Sequence, residues 1–338
     1  MTQPLSLSER LTIVDGMRNL RQYWHPVAAV DDLAEGPVAS TLLGEDLVVY
    51  RSGDEIVALQ DLCVHRGSRL SMGTVDSTSG CIVCPYHAWE YDTSGKCTYI
   101  PSQPRDAQHI PPKARVPKYH TSVHYGLVWV ALDEPIAPVP LFPPYEDPEW
   151  TVIMPGVWTW NASPGRFVEN AIDISHLAIV HAEVILPRDQ TVVGAFDLRD
   201  DDRGYTFTLR RIDAEGGNFG AAGSEIGQQT WVELPFSWRL LLRAPGLETS
   251  VYIAIQPIAP DTFRFWEYVA WRGEQPMTVE QLTDVHRLII EQDRAIVESQ
   301  RPELLPLDIT AELHVKEADV PCIEYRRRLA KVVDGPYA

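Results

Sequence analysis

Two short segments gather the residues best suited to holding metal: Cys63-Val64-His65 and Cys84-Pro85-Tyr86-His87. Each offers one thiolate and one imidazole and then runs into a turn. Two sulfurs on one iron and two imidazoles on its neighbour make a [2Fe–2S] centre whose potential lies well above that of an all-cysteine cluster. Such a centre moves electrons one at a time. The eighteen residues between His65 and Cys84 let two loop tips converge on one cluster. Zinc competes for part of this set, because Cys63, His65, Cys81 and Cys84 could close a tetrahedral site. That alternative leaves His87 without a purpose, so the cluster is preferred, and Cys81 and Cys97 read as small buried apolar residues.

A second group lies in Glu169-Asn170-Ala171-Ile172-Asp173-Ile174-Ser175-His176-Leu177-Ala178-Ile179-Val180-His181. At about 100° per residue, a regular helix puts Glu169, Asp173 and His176 on one face and turns His181 about 140° away from His176. Both imidazoles can reach one ion only through a bulge or a helix end between them. A third ligand is expected on the amphipathic helix from about Val279 to Gln300, whose apolar stripe is Leu282, Val285, Ile289 and Ile296. Asp293 interrupts that stripe, and a carboxylate on a buried face costs several kcal/mol unless paired or metal-bound. Pairing with a buried arginine is the structural alternative. Two histidines and one carboxylate form the facial triad of non-haem Fe(II), with positions open for O2. Asp173 could orient His176 through the ring nitrogen facing away from the metal.

The elements that must position these residues are legible in outline. From Trp24 to about Leu132 the chain shows short β-type runs, among them Leu47–Tyr50, Ile56–Leu59 and Gly126–Val130. The proline-rich stretch Pro135–Pro148 reads as a linker wrapping the surface. A helical segment around Phe167–His181, strands from about Val192 to Trp271 and the long helix follow. The expected fold is α+β: a small N-terminal β domain, then an antiparallel sheet with helices. The expected boundaries are 1–22 for an N-terminal helical segment, 23–134 for the cluster domain, 135–150 for the linker and 151–338 for the metal domain.

Cys63-Val64-His65-Arg66-Gly67 with Cys84-Pro85-Tyr86-His87-Ala88-Trp89 resembles the Rieske domain of the non-haem iron ring-hydroxylating oxygenases. Asn170-x2-Asp173-x2-His176-x4-His181 is similar to that family's iron motif, and Glu291-Gln292-Asp293 resembles its last ligand region. Respiratory Rieske proteins carry an extra cysteine beside each ligand pair, where this chain has Ser68 and Tyr86. The family usually has glycine where this chain has Ala88, from which a small loop adjustment is expected. The resemblance implies a helix-grip (START-like) domain holding iron through His176, His181 and Asp293, with Asn170 near it. It also implies a homotrimer in which Asp173 bridges His87 of one chain to His176 of another. Length and Asn161-Ala162-Ser163-Pro164 are similar to the monooxygenase branch: vanillate O-demethylase, dicamba monooxygenase and saxitoxin-pathway hydroxylases.

The expected activity is therefore that of a terminal oxygenase, which hydroxylates or O-/N-demethylates a small cyclic substrate with O2. Its electrons come from NAD(P)H through a separate ferredoxin or flavin reductase, since no G-x-G-x-x-G nucleotide fingerprint is present. The alternatives are ring cis-dihydroxylation and a pure electron carrier. A carrier leaves the 200 or so residues beyond the cluster domain unused. Trp231, Phe236, Trp238 and Arg243 are pocket candidates, and Arg166, Arg239 and Arg243 could bind a carboxylate. With 29 basic and 47 acidic residues the net charge is −18, which disfavours nucleic acid as a partner. No apolar run approaches a membrane span, no Sec signal is read at Met1–Arg10, and five cysteines make no disulfide framework. A soluble, cytoplasmic protein is expected.

Overall fold

Residues Leu47, Val48, Val49 and Tyr50 are all fully buried, although a strand presents alternate side chains to opposite faces. Both faces of this strand must therefore be covered. A computed structural model, which describes residues 18–213 and 224–338, shows how. One compact unit, Arg21–Val139, contains ten strands. They are β1 (His25–Ala29), β2 (Val38–Leu42), β3 (Glu45–Ser52), β4 (Glu55–Gln60), β5 (Thr74–Val75), β6 (Ile82–Val83), β7 (Glu90–Tyr91), β8 (Cys97–Tyr99), β9 (Lys118–His124) and β10 (Leu127–Ala131). A six-stranded sheet has the order β1-β10-β9-β4-β3-β2, and Ser40 in β2 donates to the Val27 carbonyl in β1, joining its two ends. On one face Leu47, Val49, Ile56 and Ala58 enter one core. On the other, Val48, Tyr50, Val57 and Leu59 enter a second core with Cys63 and Cys84. The small sheet β5-β6-β7-β8 carries Ile82, Tyr91 and Cys97 into that second core.

The second unit is Pro140–Ala338 with the few described residues before Arg21. Its seven-stranded antiparallel sheet runs β11 (Thr151–Trp160), β17 (Thr262–Gly273), β16 (Leu247–Ala259), β15 (Ser237–Ala244), β14 (Ser224–Glu233), β13 (Gly204–Asp213) and β12 (Asp197–Asp201). Thus β12 to β17 form a meander, and β11 joins at the β17 edge. Pro155, which has no amide to donate, sits where the β11–β17 register shifts. One sheet face carries Tyr252 and Tyr268, covered by Phe142, which stacks on Tyr252 at 4.9 Å between ring centroids. The proline-rich stretch accordingly packs into the core at Phe142, which is fully buried. Among the described residues, no helix is long and apolar enough to cross a membrane.

The helices are α1 (Pro164–Ile172), α2 (Leu177–Val180), α3 (Val279–Val297) and α4 (Val320–Leu329). Thr278 and Gln281 form a capping box that starts α3 where the sequence places it, but the helix stops at Val297. The inner face of α3 is Leu282, His286, Ile290, Asp293 and Val297. Leu282 and Asp293 point inward as expected, but His286, Ile290 and Val297 replace Val285, Ile289 and Ile296, each one residue on, and Ile296 is exposed. The reason is His286: a polar residue takes an inward position because Glu267 of β17 meets it there. The N-terminal helical segment expected over 1–22 lies outside the described residues except for the 3-10 turn Arg18–Gln22.

A buried ion network anchors α1 to the C-terminal part of the unit. Arg326 of α4 grips Glu169 of α1 with Nε and Nη2, at 2.5 and 2.7 Å, and also reaches Glu312. Arg166 of α1 binds Glu312 bidentately at 2.8 and 3.1 Å. Burial pushes the Glu312 carboxyl up, but the two arginines outweigh it and hold the group below its ordinary value. Its contribution to stability is present above that ordinary value and is lost as the pH falls through the lowered one. Arg326→Ala, which strands Glu169, is expected to cost about 3–5 kcal/mol. Urea denaturation followed by tryptophan fluorescence measures this, and a loss under about 1 kcal/mol, the level of an exposed pair, would sink it.

Candidate metal centres and the adjoining cavity

The two Cys/His segments form matching turns. The Cys63 amide donates to the Ser68 carbonyl and the Gly67 amide to the Cys63 carbonyl. In the second segment the Cys84 amide donates to the Trp89 carbonyl and the Ala88 amide to the Cys84 carbonyl. Cys63 and Cys84 are buried in one core, while the His65 and His87 rings meet edge to face at 4.5 Å. Trp89 stacks on His65 at 4.5 Å and fixes its plane. Burial pushes the Cys63 thiol up, and the neighbouring Cys84 sulfur adds to this against a hydrogen bond with Tyr91. His65 Nδ1 is buried without a hydrogen-bond partner, so a ring nitrogen beside two thiols is left for a metal. The residues fit a Cys2His2 [2Fe–2S] cluster with sulfurs inward and imidazoles outward. Cys81, which the zinc alternative would need, lies against the Thr98 hydroxyl at 3.6 Å. Burial pushes the Cys97 thiol up to about 11, as for an inert core residue. All five cysteines are unpaired.

The Ala88 loop keeps the same hydrogen bonds as the first; its φ is +53°, and Gly67 at the equivalent place has +70°. The penalty is conformational. A Cβ at Gly67 would meet only Leu62, at 3.7 Å. Left-handed backbone costs an L-residue about 1–2 kcal/mol.

The second centre depends on where α1 ends. Ser163 caps its start by accepting from the Arg166 amide at 3.1 Å, with Pro164 in the first turn. The helix ends at Ile172 because Asp173 is extended (φ −72°, ψ 128°). Its carboxylate accepts from the Ser175 amide at 2.8 Å and the His176 amide at 3.3 Å, starting a new turn. One break lies before His176, so Glu169, Asp173 and His176 do not share one helix face; a second helix end, at Val180, lies between the two histidines, as their spacing requires. His176 and His181 flank the four residues of α2, and His181 leaves helical geometry at φ −105°, ψ 31°. Their rings sit 5.1 Å apart.

Asp293 meets them from α3. Its Oδ1 lies 3.0 Å from His181 Nε2 and 3.6 Å from His176 Nε2. One donor atom from each of the three residues falls within 4.8 Å of the others. The far ring nitrogens are held: His176 Nδ1 donates to Asp173 at 3.2 Å, and His181 Nδ1 donates to Gln292 Oε1 at 2.8 Å. Asn170 Nδ2 reaches Asp293 Oδ1 at 3.4 Å. Burial lowers the His181 imidazole, but Asp293 outweighs it and raises the group above its ordinary value, so the local field favours a cation. Burial also pushes Asp173 up, and bonds from His176 and Ser175 bring it below the ordinary carboxylate value. Two imidazoles and one carboxylate, each oriented from behind, fit a mononuclear iron. Gln292 had no role in the sequence reading, although it adjoins Asp293.

A cavity of about 110 Å3 opens beside this triad. The sheet contributes Trp238, Leu240, Leu242, Val251 and Ile253, and α3 contributes His286 and Ile290. Of the residues expected around a pocket, Trp238 lines it; Trp231, Phe236 and Arg243 do not. The arginines considered for carboxylate binding are engaged elsewhere. Arg166 is in the ion network, Arg239 lies over the Trp231 ring at 3.8 Å, and Arg243 pairs with Glu248 at 3.1 Å.

Two measurements check these centres. Iron analysis is expected to give about three irons per chain, falling to about two in His176→Ala with the cluster absorption retained, by the ligand arithmetic of a two-iron cluster plus a facial triad. Two irons in the parent protein would remove the second centre. Ala88→Gly is expected to raise the urea midpoint for loss of cluster absorption, by up to about 1 kcal/mol in stability; an unchanged or lower midpoint would show that the φ penalty is absent.

Comparison with known proteins places this architecture. Residues 23–120 match the Rieske [2Fe-2S] domain, and residues 160–335 match the vanillate O-demethylase oxygenase C-terminal domain. Methylxanthine N1-demethylase NdmA of Pseudomonas putida is 29% identical over 97% of this chain and 93% of its own length. Methylxanthine N3-demethylase NdmB of the same species is 37% identical over 48% of each. The structure of Pseudomonas putida CBB5 NdmA with caffeine aligns with a TM-score of 0.84 at 29% identity, over 93% of this chain and 91% of that one. By both of its domains the chain belongs to the Rieske non-haem iron oxygenases, as the terminal oxygenase of a monooxygenase that uses a [2Fe–2S] cluster, mononuclear iron and O2 on a small molecule.

Proposed function

We propose that this oxygenase removes a methyl group from nitrogen or oxygen of a small cyclic substrate. One observation carries the reading: the cavity beside His176, His181 and Asp293 is walled mostly by apolar side chains, which suits a C–H bond held at the metal. The whole-length similarity to an N-demethylase supports the same choice. We assign Cys63, His65, Cys84 and His87 to the cluster and His176, His181 and Asp293 to the iron. The domains are assigned as 23–134 for the cluster and 151–338 for catalysis, joined by 135–150; the segment 1–22 remains unassigned in function. When bound, iron activates O2 and the cluster supplies electrons singly.

The chain's own residues supply order and position. Asp173 and Gln292 hold the imidazoles, Asn170 steadies Asp293, and the apolar walls exclude water from the reacting C–H bond. Methyl removal balances as substrate-CH3 plus O2, two electrons and two protons, giving substrate-H, formaldehyde and water. The electrons come from NAD(P)H through a separate ferredoxin or flavin reductase. With all five cysteines unpaired, the protein suits a reducing cytoplasm.

His87 is exposed, and Asp173 is about a quarter exposed while bonded to His176. This supports a homotrimer in which Asp173 of one chain joins His176 to His87 of the next. Asp173→Asn is expected to keep both metal centres and the trimer, yet slow substrate-triggered reoxidation of the cluster in stopped flow by about 10- to 100-fold, the scale of lost orienting partners. An active monomer by sedimentation would overturn the trimeric route. With a reconstituted reductase, methylated heterocycles and methoxyarenes are expected to release one formaldehyde per NAD(P)H consumed in coupled turnover. A product carrying both atoms of 18O2 would instead establish cis-dihydroxylation.

A further inference from the structure

Glu267 is 2% exposed in the interior of β17, opposite Ile253 of β16. A carboxylate in that position is costly unless its oxygens are bonded. Only one is. Oε1 accepts from His286 Nδ1 at 2.7 Å, whereas Oε2 is buried and has no hydrogen-bond partner among the described residues. Both residues line the cavity that holds the His176, His181 and Asp293 triad. An apolar pair would pack this position at lower cost, so the buried acceptor points to a ligand. Small-molecule sites use a few placed polar groups in an apolar wall to fix orientation.

The cavity's charge narrows the ligand further. Among the described residues, neither lysine nor arginine lines it, while Asp173, Glu267 and Asp293 do. A carboxylate ligand would find no counter-charge at this wall. We propose that Glu267, held by His286, is the polar end of the substrate site and selects a neutral or cationic ring bearing an N–H donor. His286 fixes Oε1, which leaves Oε2 to accept the substrate's N–H and orient the ring within the cavity. Glu267 and His286 are thus specificity residues. This rests on the reading of the cavity as the substrate site, but not on which bond is oxidised there.

Calorimetric titration of the iron-loaded protein with indole, 1-methylindole and benzoate tests it, since neither indole is a ready metal ligand. Indole is expected to bind about tenfold or more tightly than the other two, the scale of one buried hydrogen bond to a charged group. In Glu267→Gln, His286 still holds the side-chain oxygen, so an NH2 donor replaces the open acceptor. The preference for indole over 1-methylindole should then fall to about twofold or less. Equal binding of the two indoles by the parent protein, tighter binding of benzoate, no binding of indole, or an unchanged preference in Glu267→Gln each overturns the proposal. If that variant loses iron or cluster absorption, the parent protein's indole to 1-methylindole ratio decides alone. A protein that shows this preference yet releases no formaldehyde keeps the proposal and loses the demethylation.

Discussion

The Asp173 carboxylate is the point on which the catalytic geometry turns. It accepts from the Ser175 and His176 amides and from His176 Nδ1, so one side chain ends one helix, starts the next turn and orients a ligand. A continuous helix would carry His176 and His181 to different faces. Ending α1 at Ile172 sets the place of His176, and ending α2 at Val180 takes His181 out of helical geometry, so both rings meet Asp293 of α3. Local backbone bonding and metal coordination are therefore coupled through the same carboxylate.

Rigidity behind the ligands follows the same pattern in both centres. His176 and His181 are held through their far nitrogens, Asp293 through Asn170, and His65 by the stacked Trp89 ring. Such outer contacts set the ring planes before a metal arrives, which reduces the ordering cost of binding. At the cluster the two loops repeat one hydrogen-bond scheme, with Gly67 and Ala88 both in the left-handed region. Gly67 adopts it freely; Ala88 does so at a cost that the loop's hydrogen bonds sustain.

Buried charge serves two separate ends in the second unit. Arg166 and Arg326 bond every carboxylate oxygen of Glu169 and Glu312 and hold α1, and with it the iron ligands, against the C-terminal segment. Glu267 and His286 form a smaller pair on the cavity lining that leaves one buried carboxylate oxygen without a hydrogen-bond partner among the described residues. The residue types are similar; the difference lies in whether each carboxylate oxygen has a donor.

The sequence by itself determined the cofactor chemistry. Thiolate-imidazole pairs at Cys63/His65 and Cys84/His87, two histidines five residues apart and a carboxylate on an apolar helix face are local patterns whose donor types select the metal. Strand runs such as Leu47–Tyr50 were legible for the same reason, since burial on both faces leaves a continuous apolar signature. What only the tertiary structure decided were pairings between distant segments. Arg166 reads as a candidate for binding a substrate carboxylate until Glu312 is brought to it. Three of the inward positions of α3 were misplaced by one residue because His286 looks polar until Glu267, on a strand nineteen residues earlier, accepts a hydrogen bond from it. Periodicity reports the solvent preference of each side chain alone, whereas a buried polar residue is stabilised by a partner that only the fold supplies.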